Sequence, residues 1–251
     1  MLLAFSPATG KEKYVTKDSP DGLRLVKWLG KDRVVDFNHY PELKDVRVIG
    51  EMAFEMNNHI QKVILPDSLQ VIEKRAFNTC SKLREVCMPQ TVRYIGNSAF
   101  NMDRDLELRS LPDSLREIGE WAFWDCNKVS ISVIPEYVSR IGRQAFTCCE
   151  GITTLTFKCP ITVIYDRSFS GCKNLEEIVF PETLTVISEY SFARCVKLKR
   201  VTFPISLEKI GAKAFSNCWS LSEVRYSSSV DVDSSAFDDG PMILTCMDPI
   251  F

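Results

Sequence analysis

Apolar positions return along this chain at a fixed interval of 23 residues, and each return is led by the same aromatic residue. Phe54, Phe77, Phe100, Phe123, Phe146, Phe169, Phe192 and Phe215 follow one another without insertion, and a ninth, Phe237, comes one residue early. One unit reads Phe169-Ser-Gly-Cys172-Lys-Asn-Leu175-Glu-Glu-Ile178-Val-Phe180-Pro181-Glu-Thr-Leu184-Thr-Val-Ile187. Leu175, Ile178, Phe180, Leu184 and Ile187 are its inward positions. Ile178 and Phe180 alternate with polar or outward residues, which predicts a short strand at Glu177–Phe180. Pro181 ends it, because proline has no N–H for a ladder. Equivalent strands are expected at Lys62–Leu65, Glu85–Met88, Thr154–Phe157, Arg200–Phe203 and Glu223–Tyr226. The stretch Ile118-Gly-Glu-Trp-Ala-Phe123 is too short for a long helix and predicts a tight turn, with at most one helical turn.

A period of this length is the signature of a solenoid. One unit cannot bury its apolar face alone, so stacking is obligatory, and stacking places the strands side by side in a parallel sheet along one side. Three parts are expected: an N-terminal cap over 1–45, repeats over 46–240, and a C-terminal cap over 241–251. Within the first, Leu23-Arg-Leu-Val-Lys-Trp28-Leu-Gly30-Lys-Asp32-Arg-Val-Val-Asp-Phe37 reads as a hairpin turning at Gly30–Asp32. At the other end, Met242–Cys246 offers a last short strand.

The marks lie densest in IEKRAFNTCSKLREVCMPQTVRYIGNSAF, Ile72 to Phe100. This resembles the BspA-type leucine-rich repeat family, with its unit I-G-x-x-A-F-x-x-C-x-x-L-x-x-I-x-L-P-x-x-L. The resemblance runs from about 46 to 246 and implies a right-handed leucine-rich-repeat horseshoe or arc. It implies short strands on one side, turns or short helical turns on the other, and little regular helix. It also implies a binding surface, often one used in adhesion at bacterial or protist cell surfaces.

Charge narrows the partners. The chain carries 31 basic and 33 acidic residues with no basic tract, so no nucleic-acid partner is expected. No apolar run approaches the roughly 20 residues of a membrane span, so no membrane insertion is expected. The start, MLLAFSPATGKEKY, has no basic stretch ahead of its apolar residues, as a secretory signal would. The location expected from the sequence as it stands is cytoplasmic, with cell surface or secretion as the alternative.

Six of the ten cysteines fall three residues after the repeat Phe: Cys80, Cys126, Cys149, Cys172, Cys195 and Cys218. Side chains in such a column point in parallel rather than toward each other, which disfavours disulfides. A buried thiol ladder is the expectation. Cys87, Cys148, Cys159 and Cys246 stand off the column and make no metal spacing. Only two histidines occur, His39 and His59, and there is no phosphate loop, H-E-x-x-H or carboxylate-rich metal loop. No enzyme, cofactor or metal is expected.

Candidate binding residues come from columns that change character. Eight residues after each Phe the chain reads Lys62, Glu85, Leu108, Ile131, Thr154, Glu177, Arg200 and Glu223. Ten residues after, Val133 sits between Ser110 and Thr156. Leu108, Ile131 and Val133 thus form an apolar stripe rimmed by charge on the outer face of the sheet, as a protein-binding site would. The same two repeats place Arg109 and Ser132 where an inward aliphatic belongs. A slip of one residue would exchange the faces and bury Leu108 and Ile131 instead. On the turn side, Trp121 and Trp124 stand in columns otherwise filled mostly by small or polar residues. They are hot-spot candidates for a protein, or stacking surfaces for a glycan. The plainer alternative is that each lies flat against the next coil. The expectation is a non-catalytic protein-binding scaffold; the alternative is an adhesin for host protein or glycan.

Overall fold

The computed structural model describes residues 13–238 and 243–247. The chain winds into stacked coils, each matched residue for residue to the next. Val48 pairs with Val71 and Ile72 with Ile95, a step of one repeat each time. The only helical segments among the described residues are two 3-10 turns, Phe37–His39 and Pro41–Leu43. The expected strands are present at Lys62–Ile64, Glu85–Cys87, Thr154–Phe157, Glu177–Val179, Arg200–Thr202 and Glu223–Ser227, in parallel ladders. Ile243–Met247 extends the last of these by pairing with Glu223–Ser227; Met242, expected to start it, lies outside the described residues.

Strands were expected along one side only, and here the structure differs. A second parallel ladder precedes each Phe. It runs through Val46–Ile49, Val71–Ile72, Tyr94–Ile95, Glu117–Ile118 and Arg140–Ile141, and resumes from Val163–Ile164 to Asp231–Val232. Most of these strands are two residues long, too short to alternate. Coil-to-coil backbone pairing makes them strands, and the sequence shows only one buried aliphatic.

The repeat phenylalanines form one continuous stack through the core. Successive rings from Phe54 to Phe237 lie 4.8–5.4 Å apart, centroid to centroid. Phe157, Phe180 and Phe203 make a shorter second stack, and each meets a ring of the first edge-on, at Phe169, Phe192 and Phe215. Both arrangements suit aromatic quadrupoles.

The turns that carry each Phe inward have a strained backbone. The residues two before and two after Phe take left-handed φ in coil after coil, from Met52 at 56° and Met56 at 57° to Lys213 at 53° and Asn217 at 58°. Left-handed backbone costs a non-glycine residue about 1–2 kcal/mol. Only one of these sites uses glycine, Gly171 at φ 74°, where a Cβ would also come 3.0 Å from the Cys148 sulfur.

The N-terminal segment is more than a cap. The hairpin expected to turn at Gly30–Asp32 instead pairs Tyr14–Ser19 with Gly22–Trp28, and its turn lies between Ser19 and Gly22. Gly22–Trp28 then enters one ladder beside Val46–Ile49, and Val34–Asp36 enters the other beside Lys62–Ile64. These residues make an irregular first coil. Trp28 stands in the place of Phe, its ring 5.8 Å from Phe54. Its N–H donates to Ala53 O as the Phe54 N–H donates to Ala76 O.

The column cysteines are free and buried, and their thiols have a shared partner. Each Sγ donates to the carbonyl of the Phe one coil back, at 2.9–3.4 Å from Cys80 to Phe54 through Cys218 to Phe192. Asp103 occupies this column between Cys80 and Cys126. It is fully buried, its Oδ1 accepts the Cys80 N–H at 2.7 Å, and its Oδ2 has no partner.

Candidate functional site

Nine residues after Phe, the inward column holds buried Val63, Val86, Leu155, Val201 and Val224. Arg109 and Ser132 interrupt it. A guanidinium cannot be buried without partners except at a cost of several kcal/mol. The chain therefore slips: Leu108 and Ile131 turn into the core, 6% and 0% exposed, while Arg109 and Ser132 turn out. The slip is visible in the hydrogen bonds. Glu107 N–H donates to Arg84 O, a step of 23 residues, but Ser130 N–H donates to Leu108 O, a step of 22. By Leu111 and Ile134, both buried, the phase is restored. The apolar stripe of Leu108, Ile131 and Val133 is thus not a surface. Two of its members are core, and only Val133 stays half exposed.

The slip breaks the sheet. The ladder through Glu85–Cys87 stops there and a new one starts at Val133–Ile134. In the gap, exposed Arg109, Ser110 and Ser132 have backbone N–H groups with no partner among the described residues. Two depressions flank Arg109. The larger, of about 480 Å³, has Arg109, Ser132, Val133, Pro135, Tyr137 and Lys158 on its walls. The smaller, of about 430 Å³, is lined by Glu107, Arg109, Asn127, Ser130 and Asn174 among others.

Tyr137 marks a second departure from the repeat. In its column four hydroxyls stitch neighbouring coils, Ser68 donating to Val46 O at 2.8 Å, Thr91 to Leu69 O at 2.7 Å, Thr183 to Ile161 O at 2.9 Å and Ser206 to Leu184 O at 2.7 Å, while Ser114 and Pro160 make no such bond. Tyr137 makes no such bond, and its residue is 61% exposed beside the larger depression. Around the cleft, three lysines pair from coil to coil: Lys62 with Glu85 at 2.7 Å, Lys128 with Asp105 at 2.6 Å and Lys173 with Glu150 at 2.7 Å. The lysine hydrogen bonds hold the Glu85 and Asp105 carboxyls below their usual values. Arg109 and Lys158 form no ion pair among the described residues.

Trp121 and Trp124 flank Phe123 on the turn and line neither depression. Trp121 is 39% exposed and left-handed at φ 53°; Trp124 is half-buried. His39 and His59 are exposed. Among the described residues no cluster of His, Cys, Asp or Glu could hold a metal ion, and no helix is long and apolar enough to cross a membrane.

Stacked coils with two parallel ladders define a β-solenoid repeat protein. The BspA-type leucine-rich repeat region model matches residues 39–130 and 125–243 in six copies, and the chain belongs to that family. Among solved structures it is similar to a leucine-rich repeat protein of T. pallidum, with 28% identity over 76% of this chain and 91% of that one, at a TM-score of 0.69. Weaker similarity links it to a leucine-rich repeat protein from Bacteroides ovatus, with 18% identity over 92% of this chain and 91% of that one, at a TM-score of 0.36. The pneumococcal vaccine antigen PcpA is similar at 14% identity over 92% of this chain and 86% of that one, with a TM-score of 0.42. No curated protein matches the chain.

Proposed function

We propose that this is a non-catalytic interaction protein that holds a partner protein in the sheet-side cleft of the Phe100 and Phe123 coils. One observation carries the reading. Two repeat rules fail together in these two coils: the inward aliphatic at Arg109 and Ser132, and the stitching hydroxyl at Tyr137. Departures from local consistency concentrate at functional sites. Val133, on the wall of the larger depression, is taken into this reading as a binding residue.

A second reading rests on Trp121, whose exposed ring offers a stacking face for a glycan or another protein. Affinity capture from native extract separates the two. The baits are wild type, Arg109→Glu/Tyr137→Ala and Trp121→Ala/Trp124→Ala, each shown to be folded. A protein held by wild type and the Trp variant but lost by the cleft variant supports the first reading. Loss by the Trp variant alone transfers the function to the turn.

A further inference from the structure

We propose that the cleft takes an extended peptide segment bearing an acidic side chain, and that Arg109 holds its carboxylate; this rests on the binding role proposed above. Arg109 lies on the walls of both depressions, so a ligand crossing from one to the other passes its guanidinium. The residue is exposed and forms no ion pair among the described residues, whereas Lys128, on the wall of the smaller depression with it, is matched one coil away by Asp105. A guanidinium presents a rigid fork of donors that fits a carboxylate through two hydrogen bonds.

The backbone points to the same class. The N–H groups of Arg109, Ser110 and Ser132, without a partner among the described residues, are a fragment of unused ladder. Main-chain donors of this kind suit the carbonyls of an extended segment lying in the cleft. Beside them, Val133, Pro135 and exposed Tyr137 give an apolar wall for a neighbouring side chain. Both depressions fall within the roughly 300–1,000 Å³ of ordinary ligand pockets.

Charge sets the limit on the ligand. Glu107 and Glu150 line the smaller depression with Arg109 and Lys128, and Asp113 and Glu136 line the larger with Arg109 and Lys158. Such a mixed rim repels a polyanion and admits one carboxylate set in an otherwise neutral or basic segment.

The test is a random-peptide phage library panned on immobilised wild-type protein, with enriched peptides measured by fluorescence anisotropy. The variants are Arg109→Glu, Arg109→Gln and Tyr137→Ala, all at exposed positions and each checked by circular dichroism. The expected result is a recurrent Asp or Glu in the enriched peptides. Binding falls about tenfold or more for both Arg109 variants, falls for Tyr137→Ala, and weakens as salt rises. Enriched peptides without an acidic residue, still lost on Tyr137→Ala, overturn the carboxylate assignment and leave the cleft as the site. Peptides held equally by every variant overturn both readings. Failure to enrich any peptide, with Tyr137-dependent capture of neutral oligosaccharides on an array, overturns the peptide class.

Discussion

Replacing Asp103 with Cys completes the thiol column, and the structure fixes the sign of the effect at each pH. Asp103 is fully buried with one oxygen unpartnered, and burial pushes its carboxyl well above the usual carboxylate value. A folded-state value raised above the unfolded one means that the folded state holds the proton longer. Stability is therefore full below the unfolded value near pH 4 and is lost as pH rises through the folded value. In that window it falls by about 1.4 kcal/mol per pH unit. Asp103→Cys has no such loss. Its thiol is placed to donate to Phe77 O, as Cys80 donates to Phe54 O and Cys126 to Phe100 O. The Cys80 N–H, which gives up Asp103 Oδ1, still donates to Phe77 O at 3.2 Å. The assay is urea unfolding of wild type, Asp103→Cys and Asp103→Asn under reducing conditions, from pH 4 to 8. Other titrating groups cancel in the difference between chains. That difference is expected to grow with pH at up to about 1.4 kcal/mol per unit, with Asp103→Cys the more stable near neutrality. A difference that does not change with pH, or a cysteine variant less stable than wild type at pH 7, refutes the reasoning.

Phe123→Ala opens the middle of the ring stack, where Phe123 lies 5.3 Å from Phe100 and 5.2 Å from Phe146, and is expected to cost about 3–5 kcal/mol in urea unfolding. Met56→Gly relieves a left-handed residue that is 63% exposed and is expected to raise stability by about 0.5–1 kcal/mol, read as a higher melting temperature. Gly171→Ala does the reverse, since it adds both left-handed strain and a contact with Cys148; a melting temperature equal to wild type would contradict it. Leu108→Asp or Ile131→Asp places a charge in the core and is expected to abolish cooperative unfolding, whereas Arg109→Asp one position away is expected to fold normally by circular dichroism.

The period carried most of this fold into the sequence. Phe, Cys and the strand after them recur in one register, so the ring stack, the buried thiols and one set of ladders are legible from spacing alone. The second ladder is not, because Glu117–Ile118 or Lys209–Ile210 shows only one buried residue to a reader of patterns. The first coil is hidden for a different reason. Leu25 pairs with Ile49, yet Trp28 follows Leu25 by three residues where Phe54 follows Ile49 by five. A shorter turn and a larger ring together break the motif while preserving the stack.

The cleft was legible as a conflict rather than as a site. Leu108 before Arg109, and Ile131 before Ser132, admit two registers. Spacing favours the one that keeps the repeat, which would expose both aliphatics and drive a guanidinium into an aromatic core. Desolvation favours the other, and at several kcal/mol for an unpaired charge it outweighs the few ladder hydrogen bonds that the slip gives up. In a solenoid each coil touches only its neighbours, so a local slip stays local. Two coils can lose their strand pairing while Leu111 and Ile134 return to the core and the ring stack runs on undisturbed through Phe100 and Phe123. The regular coils thus supply a rigid frame, and the irregular pair presents groups that the frame leaves unsatisfied. A binding site placed there draws its rigidity from the repeat and its specificity from the residues that break it.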